Sequence, residues 1–466
     1  MNAPLIWIFF PFLVGAFSLL FISQERWAAI VSSVTALILT LAALVVPIDQ
    51  ALGFGSFSLK ISSSFQILGR NLTLDSSHAP LLTILYGVAA LWFIGAESVG
   101  VARRLSSMGL IMLSLLVASI AVQPFLFAAL LIEISVLVAV PLLSPPDQTP
   151  SRGVLHFLIY QTLGMPFILI AGWLSAGVEA SPGDLTLTIQ STLMLGLGFA
   201  FLLAVFPLYN WMPLLIEEGS PYIVGFLFWI LPTVASIFGL SFLDRYGWLR
   251  GSPQVMAALR VAGLLMVVTG GLWSAFQRHI GRMLAFMSVA ETGFILLALS
   301  LNPATGVPIV FLMLIPRGLG LAICALSLSV LNSHTGSLRF SSVQGLARAY
   351  PFVTAGLILS ALSTAGFPLL AGFPPRLALW NSLGGGSLTD SFWFMVGILG
   401  LATGAIRALA VMVMAGENTS WVSQESWSQR AMLGGGILAL FILGLFPQAL
   451  SPILDKLPLM FQHLGH

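Results

Sequence analysis

The chain consists of one apolar run after another, each about as long as a membrane is thick. A helix needs about 20 mostly apolar residues to cross a hydrocarbon layer of roughly 30 Å. The sequence therefore predicts an all-α, multi-pass integral membrane protein of about fourteen transmembrane helices, with no soluble domain between them. The runs are 4–23, 27–46, 79–96, 107–122, 125–143, 154–174, 192–208, 222–242, 255–275, 284–301, 307–331, 350–371, 391–414 and 431–446.

Charged residues are too few to cover a water-soluble surface. They make up 7% of the 466 residues, whereas a soluble domain has roughly 25%. The 18 Lys and Arg residues nearly balance the 16 Asp and Glu residues, so no basic face is available for nucleic acid. We expect the lipid bilayer and other apolar proteins as partners, and no nucleic acid.

Sequence motifs for enzymatic sites are absent. The chain has no GxxxxGK[ST] or HExxH motif, no spaced Cys and His ligands and no nucleophile elbow. Its single cysteine, Cys324, lies in an apolar run, which excludes a disulfide framework. We therefore predict no catalytic residue, no cofactor and no metal site, and whether the chain serves an enzyme complex stays open.

The connections between runs are short and polar. The longest, 49–78, alternates apolar and polar residues from Phe57 to Ser62, which predicts a short extramembrane hairpin. No Lys or Arg precedes the first run and no cleavage site follows it, so we expect that run to be retained as a helix. Alternating loops hold nine and six basic residues, which favours an outside N-terminus.

Two runs contain paired prolines in the pattern F-P-L-x-x-x-x-P. The patterns start at Phe206 and Phe367, 161 residues apart. A proline inside a helix removes a backbone donor and clashes with the preceding turn. Unwound backbone at membrane depth is tolerated only inside protein or beside a wet cavity. The sequence thus predicts that helices 7 and 12 are broken, at Pro207, Pro213, Pro368 and Pro374.

A second pair of residues supports an internal repeat. Glu133 lies in the fifth run and Glu291 in the tenth, 158 residues apart, and matching interrupted segments in two halves are typical of transport repeats. We predict two inverted five-helix repeats, with chance resemblance as the alternative. The segments would be 1–105 with helices 1–3, 106–242 as the first repeat, 243–415 as the second repeat, and 416–466 with helix 14 and a tail.

Several motifs resemble one family of membrane proteins. GLARAYP at 345–351 and GFPLLAGF at 366–373 are similar to the twelfth-helix region of the antiporter-like subunits of complex I and of Mrp cation/proton antiporters. RMLAFMSVA at 282–290 resembles the start of their helix 10. The break at 206–213 resembles that of their helix 7, and Glu133 lies where the family places a glutamate. The resemblance extends over most of the chain.

The resemblance implies a membrane-arm subunit of a complex I-like NAD(P)H- or ferredoxin:quinone oxidoreductase, associated with proton translocation. Its partners would be other membrane-arm subunits and protons, in a bacterial inner, thylakoid or organellar membrane. An Mrp-type antiporter or a proton-coupled inorganic-carbon uptake system is an alternative. A second alternative is a structural spacer that does not pump.

The chain departs from the family at the residues that carry protons. The family uses buried lysines, whereas both lysines of this chain lie outside the runs. On the family pattern, the lysines of helices 7 and 8 correspond to about Leu202 and Val234. The histidine of helix 11 corresponds to Arg317 and the lysine of helix 12 to Arg376. A buried lysine can lose its proton, but arginine stays protonated. The departure therefore leaves both a pumping and a non-pumping subunit open.

Two carboxylates are the first candidates for a charge-coupled role. A charged residue in a span costs about 2.5–3.5 kcal/mol on insertion scales, so Glu133 is expected to accept protons or to pair with an arginine. The alternative is a glutamate that only fixes helix packing. Glu291 would carry a proton or neutralise Arg317.

The remaining candidates are cations or histidine. We expect Arg317 in a structural ion pair, and Arg376 solvated by carbonyls of the broken helix. Arg407 would either face the interior or extend to an interface, and His156 would exchange protons or be an ordinary hydrogen-bonding residue. A transporter requires a wet path through His156, Glu133, Arg376 and Glu291. A spacer requires dry helices 7 and 8 and a fixed partner for each charge.

Overall fold

Helices make up most of the protein. The computed structural model describes residues 2–54, 57–67, 69–144, 149–181, 183–414 and 423–464. The helices are α1 Leu5–Phe21, α2 Glu25–Val45, α3 Ala79–Glu97, α4 Ala102–Ala121, α5 Ala128–Leu143, α6 Arg152–Ala180, α7 Leu185–Leu202, α8 Trp211–Glu218, α9 Pro221–Arg245, α10 Gly247–Arg250, α11 Pro253–Phe276, α12 Ile280–Leu299, α13 Pro303–Thr335, α14 Phe340–Val343, α15 Pro351–Thr364, α16 Phe373–Gly384, α17 Leu388–Val413, α18 Trp427–Leu445 and α19 Ser451–Leu454.

The predicted number of spans is confirmed. Among the described residues, 12 helices are long and apolar enough to cross a membrane. The first and twelfth runs form shorter apolar helices, α1 and α15. As predicted, helices 7 and 12 are each divided: α7 is followed by α8 and α15 by α16. The protein is therefore an all-α, multi-pass membrane protein with two discontinuous spans.

The polar connection after α2 forms two hairpins instead of the single hairpin predicted. The strand β1 Ala51–Phe54 pairs with β2 Phe57–Lys60, and β3 Ser64–Ile67 pairs with β4 Arg70–Thr73. A short strand after α4, β5 Val122–Gln123, joins β4. All pairings are antiparallel, and we call this end of the helix bundle the hairpin end.

The helices fall into an enclosed set and a peripheral set. Protein surrounds α9, α12 and α13 on nearly all sides: 94%, 94% and 89% of the residues in their most apolar stretches are buried. In α18 the corresponding share is only 11%. A helix that is apolar all round and enclosed belongs to a core, and one with exposed apolar side chains faces lipid. The discontinuous helices α7–α8 and α15–α16 lie against this enclosed set.

Glycines allow the peripheral helices α11 and α17 to approach each other closely. A Cβ atom on Gly271 would lie 2.1 Å from the carbonyl oxygen of Gly397, which is far inside van der Waals contact. Close packing through small residues is the usual way for membrane helices to associate, because lipid offers no hydrophobic driving force. Backbone contact at this point therefore joins the two helices.

The two breaks begin with the same C-terminal cap. After α7 the amide of Val205 donates to the carbonyl of Ala200, and that of Ala204 to Phe201. After α15 the amide of Phe367 donates to Leu362, and that of Gly366 to Ser363. These are the two hydrogen bonds of a Schellman motif, which needs a left-handed residue; Ala204 (φ 50°) and Gly366 (φ 75°) supply it.

The matching caps support the predicted repeat. The capping residues are 162 positions apart, one more than the separation of the two F-P-L patterns. In the break after α15, the phenylalanine of the pattern follows the left-handed residue directly. In the break after α7, one residue, Val205, lies between them. The inverted relation between 106–242 and 243–415, and the boundaries of the four segments, stay predictions.

We predict opposite effects for alanine and glycine at the two caps. Gly366→Ala places a Cβ 2.7 Å from Cγ of Arg376 and adds about 1–2 kcal/mol of left-handed strain. Ala204→Gly relieves that strain, offset by about 0.5–1 kcal/mol of glycine entropy. The melting temperature of the full chain in detergent should fall for Gly366→Ala and stay level or rise for Ala204→Gly. Equal falls in both variants would contradict this prediction.

Candidate functional site

An ion pair lies where α12 meets the break between α15 and α16. A terminal nitrogen of Arg376 is 2.6 Å from Oε1 of Glu291, and both side chains are about 5% exposed or less. The Nε of Arg376 donates to the carbonyl of Thr364 at 3.2 Å, and its guanidinium lies 3.8 Å from the ring centre of Phe294. The predicted solvation of Arg376 by a carbonyl at the break is therefore present.

The positions of the two charges follow from the helix ends. Thr364 ends α15, where unpaired carbonyls carry the negative end of the helix dipole. Arg376 belongs to the first turn of α16, and its side chain extends back to that carbonyl. The break thus places a cation against a helix C-terminus and within reach of Glu291.

Arg317 on α13 is buried beside this pair but has a different environment. It is 2% exposed, and its Nη2 donates to the carbonyl of Phe228 at 3.1 Å and to Oγ1 of Thr292 at 3.2 Å. The carboxylate of Glu291 pairs with Arg376. Salt bridges between described residues do not include Arg317, so the structural ion pair expected for Arg317 is wrong. Successive side chains on a helix point about 100° apart. On α12, Glu291 therefore faces Arg376, while the next residue, Thr292, faces Arg317.

Several polar atoms of this cluster have no hydrogen-bond partner among the described residues. They are Oε2 of Glu291, Nε and Nη1 of Arg317, and Nη1 of Arg376. Two guanidinium groups share one carboxylate, which leaves one excess positive charge in the three residues. Groups of this kind are costly to bury without a partner.

Glu133 lies in the other half of the protein, on α5. It is buried, with 9% exposed, and its Oε1 accepts a hydrogen bond of 2.8 Å from the hydroxyl of Thr162 on α6. Salt bridges between described residues do not include Glu133. Its carboxyl group is therefore held by one neutral donor and by no arginine.

The two remaining candidates lie near the surface. His156 is exposed near the start of α6, about six residues, or roughly 9 Å along the helix, from Thr162. Arg407 is half-buried near the end of α17, with its guanidinium 5.7 Å from the ring centre of Phe340 in a connecting helix. The contact with Phe340 favours the interpretation of Arg407 as a residue that extends to an interface.

Apolar side chains occupy the positions that correspond to the family's lysines. Leu202 is 4% exposed and Val234 is fully buried. The nearest hydroxyls on α9, those of Thr233 and Ser236, donate to carbonyls of their own helix. Beside Leu202 lies a cavity of about 10 Å³, which Gln161 and Thr292 also line. That volume is about the minimum for one water molecule.

The end of α12 opposite the hairpin end is held by a histidine cap. Nδ1 of His279 accepts a hydrogen bond of 3.3 Å from the amide of Arg282, which requires an unprotonated Nδ1. Burial lowers the pKa of His279 below its usual 6.5; the charge of Glu217 opposes this shift, and those of Arg282 and Arg339 add to it. Arg282 also forms an ion pair with Glu217.

Sequence reasoning did not identify Thr162, Thr292 or Glu425 as contributors. Thr162 follows Gln161 and Thr292 follows Glu291, so each is a polar residue beside a candidate in an apolar run. Glu425 is 3% exposed and accepts a hydrogen bond from the amide of Val353 at the start of α15. In the sequence, Glu425 lies in the polar segment before the last run, where acidic residues are ordinary. No sequence signal therefore indicates that it is buried.

These features define a class: multi-span membrane proteins in which discontinuous helices hold charges inside the membrane. A family model described as NADH:quinone oxidoreductase/Mrp antiporter, TM, matches residues 154–405, more than half of the chain. The chain belongs to this family.

Individual relatives agree with this assignment. NADH-quinone oxidoreductase subunit N of Dehalococcoides mccartyi is 26% identical over 305 residues, which cover 60% of each chain. The match thus spans about 60% of that relative's length.

Two solved structures share the fold. A chain of respiratory complex I from Thermus thermophilus superimposes with a TM-score of 0.80 at 19% identity, covering 100% of this chain and 99% of that one. A chain of the Mrp complex from Dietzia sp. superimposes with a TM-score of 0.82 at 16% identity, covering 98% and 96%. At these identities the likeness concerns the fold.

The buried pair generates a stability prediction. Glu291→Leu leaves both arginines without a carboxylate, and breaking a buried pair costs about 3–5 kcal/mol. The double variant Glu291→Leu, Arg376→Leu removes a charge of each sign, so it should destabilise less than the sum of the two single changes. Thermal unfolding of the full chain in detergent measures all four proteins. Additive effects would show that the two residues do not interact.

The cap of α12 generates a prediction about pH. Because the folded-state pKa of His279 lies below 6.5, its stabilising contribution is complete above that pH and is lost as pH falls below it. His279→Asn keeps a capping side chain that does not titrate. Between pH 7.5 and pH 5.5, the melting temperature should therefore fall more in the unmodified protein than in His279→Asn. Parallel curves would refute the role of this histidine.

Proposed function

We propose that the protein is a membrane-arm subunit of a complex I-like NAD(P)H- or ferredoxin:quinone oxidoreductase, and that Glu133 is its proton-exchanging group. Other membrane-arm subunits of that assembly are its partners. The family membership supports this proposal, as do relatives named as subunits of NADH-quinone oxidoreductase. The similarity of fold to a chain of complex I is consistent with the same assembly.

The observation that carries the proposal is the different pairing of the two buried glutamates. Glu291 is 2.6 Å from a guanidinium that stays protonated, so adding a proton to Glu291 would break an ion pair. Among the described residues, Glu133 has only a hydroxyl donor, Thr162. That hydroxyl can hydrogen-bond to either form of the carboxyl group. Glu133 is therefore the group whose protonation disturbs the surroundings least.

Unpaired atoms also favour a charge-coupled subunit over a rigid spacer. A spacer requires a fixed partner for each buried charge. Within the described residues, Arg317 uses only Nη2 in hydrogen bonds, and Oε2 of Glu291 has no partner. Groups of this kind respond to nearby changes of charge, because their interactions are strong in a low-dielectric interior. The Glu291, Arg317 and Arg376 cluster would transmit such changes without titrating its arginines.

A structural spacer is the second candidate, and one observation favours it. Leu202 and Val234 occupy the centre of the protein with apolar side chains that are 4% exposed and fully buried. A proton would have to pass this region without a titratable group. In this second candidate, the ion pair serves only to hold α12 against the break.

The deciding experiment compares Glu133→Gln with wild type in the intact parent complex reconstituted in proteoliposomes. Glu179→Gln, which changes an exposed carboxylate on α6, is the matched control. If Glu133 exchanges protons, the ratio of protons translocated to electrons transferred falls for Glu133→Gln and is unchanged for Glu179→Gln.

Assembly is checked by copurification with the redox subunits. An unchanged proton-to-electron ratio in a fully assembled Glu133→Gln complex would refute the role of Glu133 and support the spacer. Copurification of the wild-type chain with cation-transport subunits, and with no redox subunit, would refute the oxidoreductase assignment.

A further inference from the structure

A cleft of about 390 Å³ separates the peripheral helices α7 and α11. We call it the α7–α11 groove. The two helices form its walls, while α9 and α12 form its floor. It extends from Leu203 and Val205, at the break after α7, to Leu249 and Val255 near the hairpin end. The α7–α11 groove therefore begins at the unwound backbone and opens toward one membrane surface.

The lining of the groove is almost entirely apolar and has no free hydroxyl proton to donate to an occupant. Thr192 and Ser236 are its two residues with polar side chains. The hydroxyl of Thr192 donates to the carbonyl of Thr188 at 2.8 Å, and that of Ser236 to Pro232 at 2.6 Å. Water entering the groove would lose hydrogen bonds, and apolar cavities stay dry for this reason. The lining therefore selects hydrocarbon.

The groove opens on the lipid-facing side. Leu193 and Leu197 on α7 are 58% and 42% exposed, and Val261 on α11 is 57% exposed. In a bilayer these side chains contact acyl chains. The space between them is continuous with that contact surface, so a lipid tail can enter it sideways without any movement of the helices.

The length of the groove distinguishes a lipid tail from a partner's helix. Thr192 and Leu203 mark its extent along α7, 11 residues apart, which is about 17 Å of helix. That is about half of the roughly 30 Å hydrocarbon layer, the depth of one leaflet. A transmembrane helix of a partner needs roughly twice this length of apolar contact. One acyl chain, which spans a single leaflet, matches the length of the groove.

The open end of the groove has the chemistry of a phospholipid headgroup site. Leu243 and Leu299 line both the groove and a small adjoining cleft on Arg250. Nη1 of Arg250 donates to the carbonyls of Leu243 and Asp244. Its Nε and Nη2 make no hydrogen bond to another described residue, so they can contact a phosphate. Trp248, half-buried beside it, is of the residue type that marks the membrane interface.

The acid nearest to Arg250 does not compete for it. Asp244 accepts hydrogen bonds from the amides of Gln462, His463 and Leu464, at 3.1, 2.6 and 3.0 Å. Its carboxylate is thus occupied by the C-terminal segment. The neighbouring Arg245 is exposed and adds a second positive charge at the level of the headgroup.

We propose that the α7–α11 groove binds one acyl chain of an anionic phospholipid, whose phosphate contacts Arg250. The bound chain covers the apolar side chains of Leu203 and Val205. The backbone amides of Ala204 and Val205 are already satisfied by the hydrogen bonds of the Schellman motif. This inference is independent of the oxidoreductase assignment and of the role of Glu133.

Two substitutions fill the groove from opposite walls. A Cβ on Gly196 meets no atom within 4 Å, and Ala258 on α11 is exposed, so Gly196→Leu and Ala258→Leu place a side chain in the groove without a clash. Gly435→Leu is the matched control, because Gly435 on α18 is equally open but lies outside the groove. Arg250→Gln tests the phosphate contact.

The measurement is native mass spectrometry of the full chain, delipidated in detergent and titrated with dioleoylphosphatidylglycerol. We expect one retained lipid in wild type and in Gly435→Leu, at least fivefold lower occupancy in both groove-filling variants, and weaker binding in Arg250→Gln. The added lipid should also raise the melting temperature of wild type and not of Gly196→Leu. Equal lipid retention in all variants, equal loss in Gly435→Leu, or an isoprenoid quinone as the retained molecule would overturn the proposal.

Discussion

The ion pair between Glu291 and Arg376 is the interaction on which the centre of this protein depends. Two charges at membrane depth persist only because each satisfies the other and because the break between α15 and α16 supplies the carbonyl of Thr364. The break in turn needs a left-handed residue at Gly366, against which the side chain of Arg376 packs. Backbone geometry and buried charge are therefore one constraint.

The replacement of lysine by arginine changes what this constraint can do. Arginine does not release its proton under accessible conditions, so the cluster of Glu291, Arg317 and Arg376 keeps two positive charges against one carboxylate. The two arginines therefore hold a fixed positive charge inside the protein. Glu133, which is held by Thr162 alone among described partners, is the contrasting case. One half of the protein thus holds a cluster of paired charges, and the other half holds a buried carboxyl group with a neutral partner.

Much of the fold was predictable, because membrane helices have a strong signal. The apolar runs, the two proline-interrupted spans and the membrane location all follow from the requirement that backbone groups be satisfied inside the helix. The single predicted hairpin was wrong in detail, since two hairpins form. The pairing of Glu291 stayed open in the sequence, because two arginines lie in nearby apolar runs. Only the rotation of α12 directs the carboxylate to Arg376.

The sequence by itself determined the class of protein, the places where helices break, and the absence of lysines within its apolar runs, because each depends on local composition. Only the tertiary structure decided which charges pair, that Leu202 and Val234 fill the centre, and that α7 and α11 leave a groove between them. The physical reason is that pairing and packing depend on the relative rotation and spacing of helices distant in the chain. Neither quantity is encoded in the run that forms any one helix.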